Sequence, residues 1–180
     1  MKFIATDVDD SIEKIAAMVR AEQSRPDYAI DSYFYRSHLV YEKELDHLVF
    51  RSWLYAGHVS ELPNPGDYLL LEIGEDSVII VRDKSAELHA LINVCRHRGA
   101  RVCEEKSGNR KTFVCPYHGW VYNTDGSLKA AREMEVRADF DLASHGLKKA
   151  RIVVYIGLIF INCDPHAADF LKPLSNLAEP

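Results

Sequence analysis

At 180 residues the chain is long enough to bury one sizeable core. Its 22 basic and 27 acidic side chains leave a formal net charge of -5, and no Lys/Arg run forms a stripe, which argues against nucleic acid or an anionic membrane as partner. The opening MKFIATDVDD lacks the apolar core of a secretion signal, no run reaches the roughly 18 apolar residues of a spanning helix, and four cysteines are too few for a secreted disulfide scaffold, so the expected setting is the cytoplasm.

In chain order, Ile12, Ile15, Ala16 and Val19 recur at helical spacing, with Asp10 as the expected cap, Glu13 as its capping-box partner and Pro26 closing the segment. A second helix is expected from about Tyr41 to Trp53, its apolar face carrying Leu45, Leu48 and Val49. From Asp67 onward the pattern changes to short β-branched runs: YLLLEI, SVIIVR, HALINV, TFVCP and ARIVVYIGLIFIN. Hairpin connections are expected at Gly74 to Asp76, Asp83 to Glu87 and Thr124 to Gly126. The fold class is therefore mainly β with N-terminal helices, an antiparallel sandwich or small barrel. Residues 1–40 read as a helical arm, 41–165 as the β domain and 166–180 as an exit segment, where the strand pattern is lost.

Two short stretches carry the chemistry. CRHRG (Cys95 to Gly99) and CPYHGW (Cys115 to Trp120) each pair a cysteine with a histidine. Cys95, His97, Cys115 and His118 offer two thiolates and two imidazoles, a set that suits zinc or an iron–sulfur cluster and does not suit calcium or magnesium. Zinc sites with two cysteines and two histidines usually take each pair from one element, whereas here each loop supplies one of each. A 2Fe-2S cluster with inequivalent irons accounts for that mixture, one iron taking both thiolates and the other both imidazoles. Gly99 and Gly119 follow the histidines where the backbone must turn sharply, and Pro116 stiffens the second loop. Cys103 and Cys163 lack a histidine at comparable spacing and read as small apolar core residues. Arg96, Arg98, Arg101, Arg110 and Lys111 are expected around the ligand loops, as docking charges or as solvated ones. Tyr117 and Trp120 are expected to shield the site from water.

The spacing C-x-H, seventeen residues, C-x-x-H, together with WLYAGHVSELPNPGDY, WVYNTDGSL and GLIFIN, resembles the N-terminal Rieske domain of Rieske non-haem iron oxygenase large subunits over roughly residues 35 to 165. The pairing of CPYHGWVY with DGSL looks somewhat like choline monooxygenase and quaternary-ammonium demethylases, and ring-hydroxylating dioxygenases share much of it. The resemblance implies a Rieske-type β-sandwich with a two-loop subdomain holding a 2Fe-2S cluster on Cys95, His97, Cys115 and His118. It also implies a flavin reductase or ferredoxin as electron donor, a homotrimer at full length, and an oxygenase that hydroxylates or demethylates a small organic substrate at a mononuclear Fe(II). That iron needs a 2-His-1-carboxylate triad. The pairs Asp141 with His145 and His166 with Asp169 read as solvated pairs, so the iron is expected in a catalytic domain absent from these residues. A free-standing Rieske ferredoxin and a zinc-stabilised binding module are the alternatives. Rieske proteins of respiratory complexes carry a loop disulfide and a serine after the second His-Gly. Here Ala100, Tyr117 and Trp120 occupy those positions, which implies a potential toward the low end of the range of about −150 to +300 mV.

Overall fold

A computed structural model describes residues 10–134 and 136–173. Residues 1–9 of the expected arm and 174–180 of the expected exit segment lie outside them. The chain divides into two compact units, residues 1–50 and 51–180.

The first unit is helical. Helix α1 (Ile12–Gln23) is capped by Ser11, whose Oγ accepts from the Lys14 N–H at 3.1 Å. The cap therefore falls one residue later than expected, Lys14 stands at the third helical position, and Glu13 has no capping-box role. Asp10 is released for tertiary bonding. It accepts from Tyr33 Oη at 2.5 Å, from Ser37 Oγ at 2.7 and 2.8 Å, and from the Leu39 N–H at 3.0 Å. The Tyr33 hydroxyl first, then the Leu39 N–H, hold this carboxyl below its ordinary range against the opposing effect of burial.

Helix α2 (His38–His47) starts where Ser37 Oγ takes the Val40 N–H at 3.0 Å, and it ends at Leu48 before a short 3-10 turn, Val49–Arg51. The expected helix thus begins three residues early and stops well before Trp53. The unit boundary at Phe50 lies beyond the expected arm of residues 1–40, because α2 packs with the 3-10 turn Ser32–Tyr35.

The second unit is built on strands β1 (Leu54–His58), β2 (Asp67–Ile73), β3 (Asp76–Arg82), β4 (Leu88–Ile92), β5 (Ser107–Asn109), β6 (Thr112–Val114), β7 (Val121–Asn123), β8 (Leu128–Ala130), β9 (Lys149–Tyr155) and β10 (Leu158–Asn162). Seven form one antiparallel sheet in the order β1-β10-β9-β4-β3-β2-β5, and β6-β7-β8 form a second. The three expected hairpin connections are present. The run ARIVVYIGLIFIN is itself a hairpin, turned at Ile156 and Gly157, both at positive φ as a two-residue type I′ turn requires. A Cβ on Gly157 would also run into the His58 ring, which would have to move.

Val78 to Val81 of β3 are buried on both faces, which is why SVIIVR reads as a continuous apolar run. Tyr68, Ile79, Val81 and Leu91 of the large sheet pack with Phe113, Tyr122 and Leu128 of the small one and with Trp120 just before β7, and Cys95, Cys103 and Cys115 belong to the same core. Behind the sheet, residues 164–173 pack back against it. Phe170 meets Phe160 at 4.6 Å and Trp53 at 5.4 Å, and Trp53 Nε1 donates to the Ala168 carbonyl. No helix among the described residues is long and apolar enough to cross a membrane.

Candidate metal centre

The loop after β4 and the loop between β6 and β7 close in the same way. The Cys95 N–H donates to the Ala100 carbonyl at 2.8 Å and the Gly99 N–H to the Cys95 carbonyl at 3.0 Å; the Cys115 N–H donates to the Trp120 carbonyl at 2.8 Å and the Gly119 N–H to the Cys115 carbonyl at 3.0 Å. Gly99 and Gly119 sit at φ +76° and +71°, and a Cβ at either would meet nothing within 4 Å, so the demand for glycine is conformational and not steric. Each loop therefore holds cysteine first and glycine fifth in a six-residue ring. The histidine occupies the third place in one loop and the fourth in the other.

That closure pairs the expected donors, thiol beside thiol and imidazole beside imidazole. The His97 and His118 rings lie 4.5 Å apart at 65°. Cys95 and Cys115 are buried, and the Cys115 thiol is pushed up, by burial first and by the neighbouring Cys95 sulfur as well. The Tyr117 and His118 N–H groups act the other way by bonding to the Cys115 sulfur, which prepares it to be held as a thiolate. His97 Nδ1 is buried with no hydrogen-bond partner although the ring as a whole is only half-buried. Burial first, then the charges of His118 and Arg98, lower its pKa, so the imidazole is kept neutral and its inward nitrogen is free to ligate. Among the described residues the only His, Cys, Asp and Glu donors lying within 4.8 Å of one another in a group of three are Asp83, Glu87 and His89. No three of the loop donors form such a group.

The surroundings correct several expectations. Trp120 is buried and stacks on His97 with ring centroids 4.9 Å apart and planes 5° apart, whereas Tyr117 is 59% exposed and lies over His118 at 3.8 Å. Only Trp120 shields from within. Arg96 and Arg98 are exposed on the first loop, but Arg101 is tied to the Glu75 carbonyl, and Arg110 with Lys111 precede β6 at the end away from Cys115, Arg110 pairing with Glu105. The five cations do not form one patch. His145 Nδ1 bonds the Asp141 main-chain carbonyl at 2.7 Å, while the Asp141 carboxylate takes the Ala143 and Ser144 N–H groups, which is local turn bonding. Asp169 takes the Leu171 N–H. Cys103 is buried in the core and Cys163 half-buried, in keeping with the structural reading of both.

Two residues of the site escaped the sequence reading. Asn93, fully buried, accepts from the Val102 and Cys103 N–H groups at 2.9 Å each and donates to Ser77 Oγ and the Cys103 carbonyl, stapling both sides of the first loop. Its signal was an asparagine inside the apolar run HALINV two residues before Cys95. Tyr122 Oη lies 3.2 Å from Cys95 Sγ and accepts from the Arg96 N–H at 3.0 Å. Burial first, then the Cys95 sulfur, raises this phenol, so it stays protonated and able to donate to the thiolate. The expectation of a low potential rested on a missing serine hydroxyl; Tyr122 puts a hydroxyl on the Cys95 sulfur from another direction.

The chain matches the Rieske [2Fe-2S] domain over residues 52–146, which includes both loops. The chain belongs to this family. The group that goes with it is a Rieske 2Fe-2S cluster, and two buried thiols, two clustered imidazoles and an unpartnered Nδ1 fit that group. The alpha subunit of benzene 1,2-dioxygenase from Pseudomonas putida is 43% identical over 141 residues, covering 78% of this chain and 31% of the relative. The oxygenase subunit of glycine betaine monooxygenase from Chromohalobacter salexigens is 35% identical, covering 100% of this chain and 42% of the relative. Among solved structures, naphthalene 1,2-dioxygenase from Rhodococcus sp. superposes with a TM-score of 0.80 at 31% identity, covering 93% of this chain and 39% of that one. The chain thus spans from 31% to 42% of the length of these oxygenase relatives.

Proposed function

We propose that Cys95, His97, Cys115 and His118 hold the 2Fe-2S cluster, the two thiolates on one iron and the two imidazoles on the other, and that this chain is the electron-relay portion of a Rieske-type oxygenase. The observation that carries the reading is the matched closure of the two loops, which sets one thiol and one imidazole from each against those of the other. Bound there, the cluster supplies a one-electron carrier whose potential depends on hydrogen bonds to its sulfurs and on exposure. The chain's own residues do the rest. Tyr122 donates to the Cys95 sulfur, the Tyr117 and His118 N–H groups donate to Cys115, and Trp120 excludes water from the inner side of His97. His97 and His118 are only half-buried, so each outer ring edge reaches toward solvent, where a carboxylate of a neighbouring domain can take its N–H.

In this reading the donor is a flavin reductase or ferredoxin, the assembly is a homotrimer, and the oxygen-activating iron lies outside these residues. The one His/carboxylate trio among the described residues has a single imidazole, Asp83 Oδ2 being already bonded to His89 Nε2, and does not make a facial triad. The substrate is a small organic molecule to be hydroxylated or demethylated; the relatives are named as a dioxygenase of benzene and a monooxygenase of glycine betaine.

Purified protein tests the assignment. A red-brown colour, iron and acid-labile sulfide in equal amounts and a Rieske-type EPR signal on reduction are expected; colourless protein holding one zinc overturns it. His97→Cys, where a cluster still assembles, lowers the potential because a thiolate places more negative charge on the iron; an unchanged potential means His97 is not a ligand.

A further inference from the structure

The end of the small sheet away from the ligand loops borders a cavity of about 370 Å³, a volume in the range of small-molecule sites. We propose that this cavity is a binding site for an oxyanion, a carboxylate or phosphate group.

The charge around it is unevenly used. Lys84, Arg110 and Lys111 line the cavity together with Asp83 and Asp125. Both carboxylates are tied into turns of the protein itself. Asp83 Oδ1 takes the Ser85 and Glu87 N–H groups at 2.8 and 2.9 Å and its Oδ2 meets His89 Nε2 at 3.0 Å, while Asp125 Oδ1 takes the N–H and hydroxyl of Ser127. Arg110 is held by Glu105 and lies over the Tyr68 ring. Lys84 and Lys111 make no ion pair or hydrogen bond with the described residues and are left to face a ligand.

A second observation points the same way. Thr124 is only 7% exposed, lines the cavity, and its hydroxyl has no hydrogen-bond partner among the described residues. The hydroxyl itself is not sealed from solvent, and an oxyanion in the cavity can accept from it. The backbone builds the floor for this arrangement. Gly66, at φ +90°, donates to the Arg82 carbonyl at 2.7 Å and accepts from the Arg110 N–H at 2.9 Å, and a Cβ there would strike the Arg110 carbonyl at 2.7 Å. That close approach sets Arg110 and Lys111 beside the β3–β4 turn that carries Lys84. A divalent cation on Asp83, Glu87 and His89 is the competing occupant, disfavoured by three flanking cations and by the bonds already made to both Asp83 oxygens.

The test is calorimetric titration of the cluster-loaded chain with inorganic phosphate and, separately, succinate, at ionic strength held constant with chloride. Saturable one-to-one binding of either supports the site, phosphate preference marking a phosphate source and succinate preference a carboxylate source. Thr124→Val and the pair Lys84→Gln, Lys111→Gln should each weaken binding by about tenfold or more, as expected for lost charge-assisted bonds, and leave the visible spectrum unchanged. Thr124→Ser, which keeps the hydroxyl, should retain binding and so separates a ligand contact from a packing effect. Binding no tighter than chloride, wild-type affinity in Thr124→Val, or saturable Mn²⁺ binding that is lost in His89→Gln would each overturn the proposal.

Discussion

The two ligand loops have one backbone and two sequences. Cys95 to Ala100 and Cys115 to Trp120 close with the same pair of main-chain bonds and the same positive-φ glycine, yet their histidines sit two and three residues after the cysteine. A six-residue ring tolerates either placement because the closure depends on main-chain atoms and on glycine, not on the histidine. The difference lies in what supports each ring. Asn93 and Tyr122 brace the first loop with side-chain bonds, and Trp120, the last residue of the second loop, stacks across onto the first loop's His97. The loops are therefore equivalent as main-chain rings and unequal as environments.

The strongest challenge to that equivalence is removal of a sulfur. Cys95→Ser and Cys115→Ser are each expected to abolish bound iron and acid-labile sulfide, and a full complement of both in either variant would show that its loop is not half of the site. Next come the glycines. With no steric conflict at either Cβ, Gly99→Ala and Gly119→Ala should each cost about 1–2 kcal/mol, the strain of one left-handed residue, read from denaturant midpoints. Clearly unequal losses would break the match between the rings.

Tyr122→Phe probes the inequality instead. Removing the hydroxyl donor to the Cys95 sulfur should lower the reduction potential by on the order of 50 mV, the one-electron equivalent of about 1 kcal/mol, by protein-film voltammetry. No change would mean that the Tyr122 hydroxyl does not donate to a cluster sulfur.

The smallest effect is one of pH. The turns at Asp83 and Asp125 are held by carboxylates, whereas the two rings are closed by main chain alone. Burial raises Asp83, but His89 and the Glu87 and Ser85 N–H groups outweigh it; Asp125 is lowered by the Ser127 hydroxyl first. Both folded pKa values lie below the ordinary 3.8, so the stability they contribute is complete above that value and is lost as pH falls through the folded ones. Amide exchange in the cluster-free chain should then accelerate at Ser85, Glu87 and Ser127 below about pH 4, relative to Gly99 and Gly119. Parallel loss at all five would deny that the rings are independent of the carboxylates.

Much of this site could be read in the chain because its parts are local. A cysteine, a histidine and a glycine within six residues, twice, state both the donors and the turn, and the hairpins at Gly74, Asp83 and Asp125 announce themselves through turn residues. What escaped depended on partners far along the chain. Ser11 and Asp10 are both able to cap α1, and the choice was settled by Tyr33, Ser37 and Leu39 competing for Asp10. The strand β1 pairs only with β10, and the edge strand β5 only with β2. Arg110 and Lys111 are near the second loop in sequence, but β6 carries them away from it.

The sequence by itself determined the chemistry, since two thiols and two imidazoles on paired glycine turns suit few metals and need no fold to be recognised. Only the tertiary structure decided which side chains tune and protect those donors. Asn93, Tyr122 and Trp120 act through bonds and stacking across strands, and such contacts follow from the packing of two sheets on one core rather than from spacing along the chain.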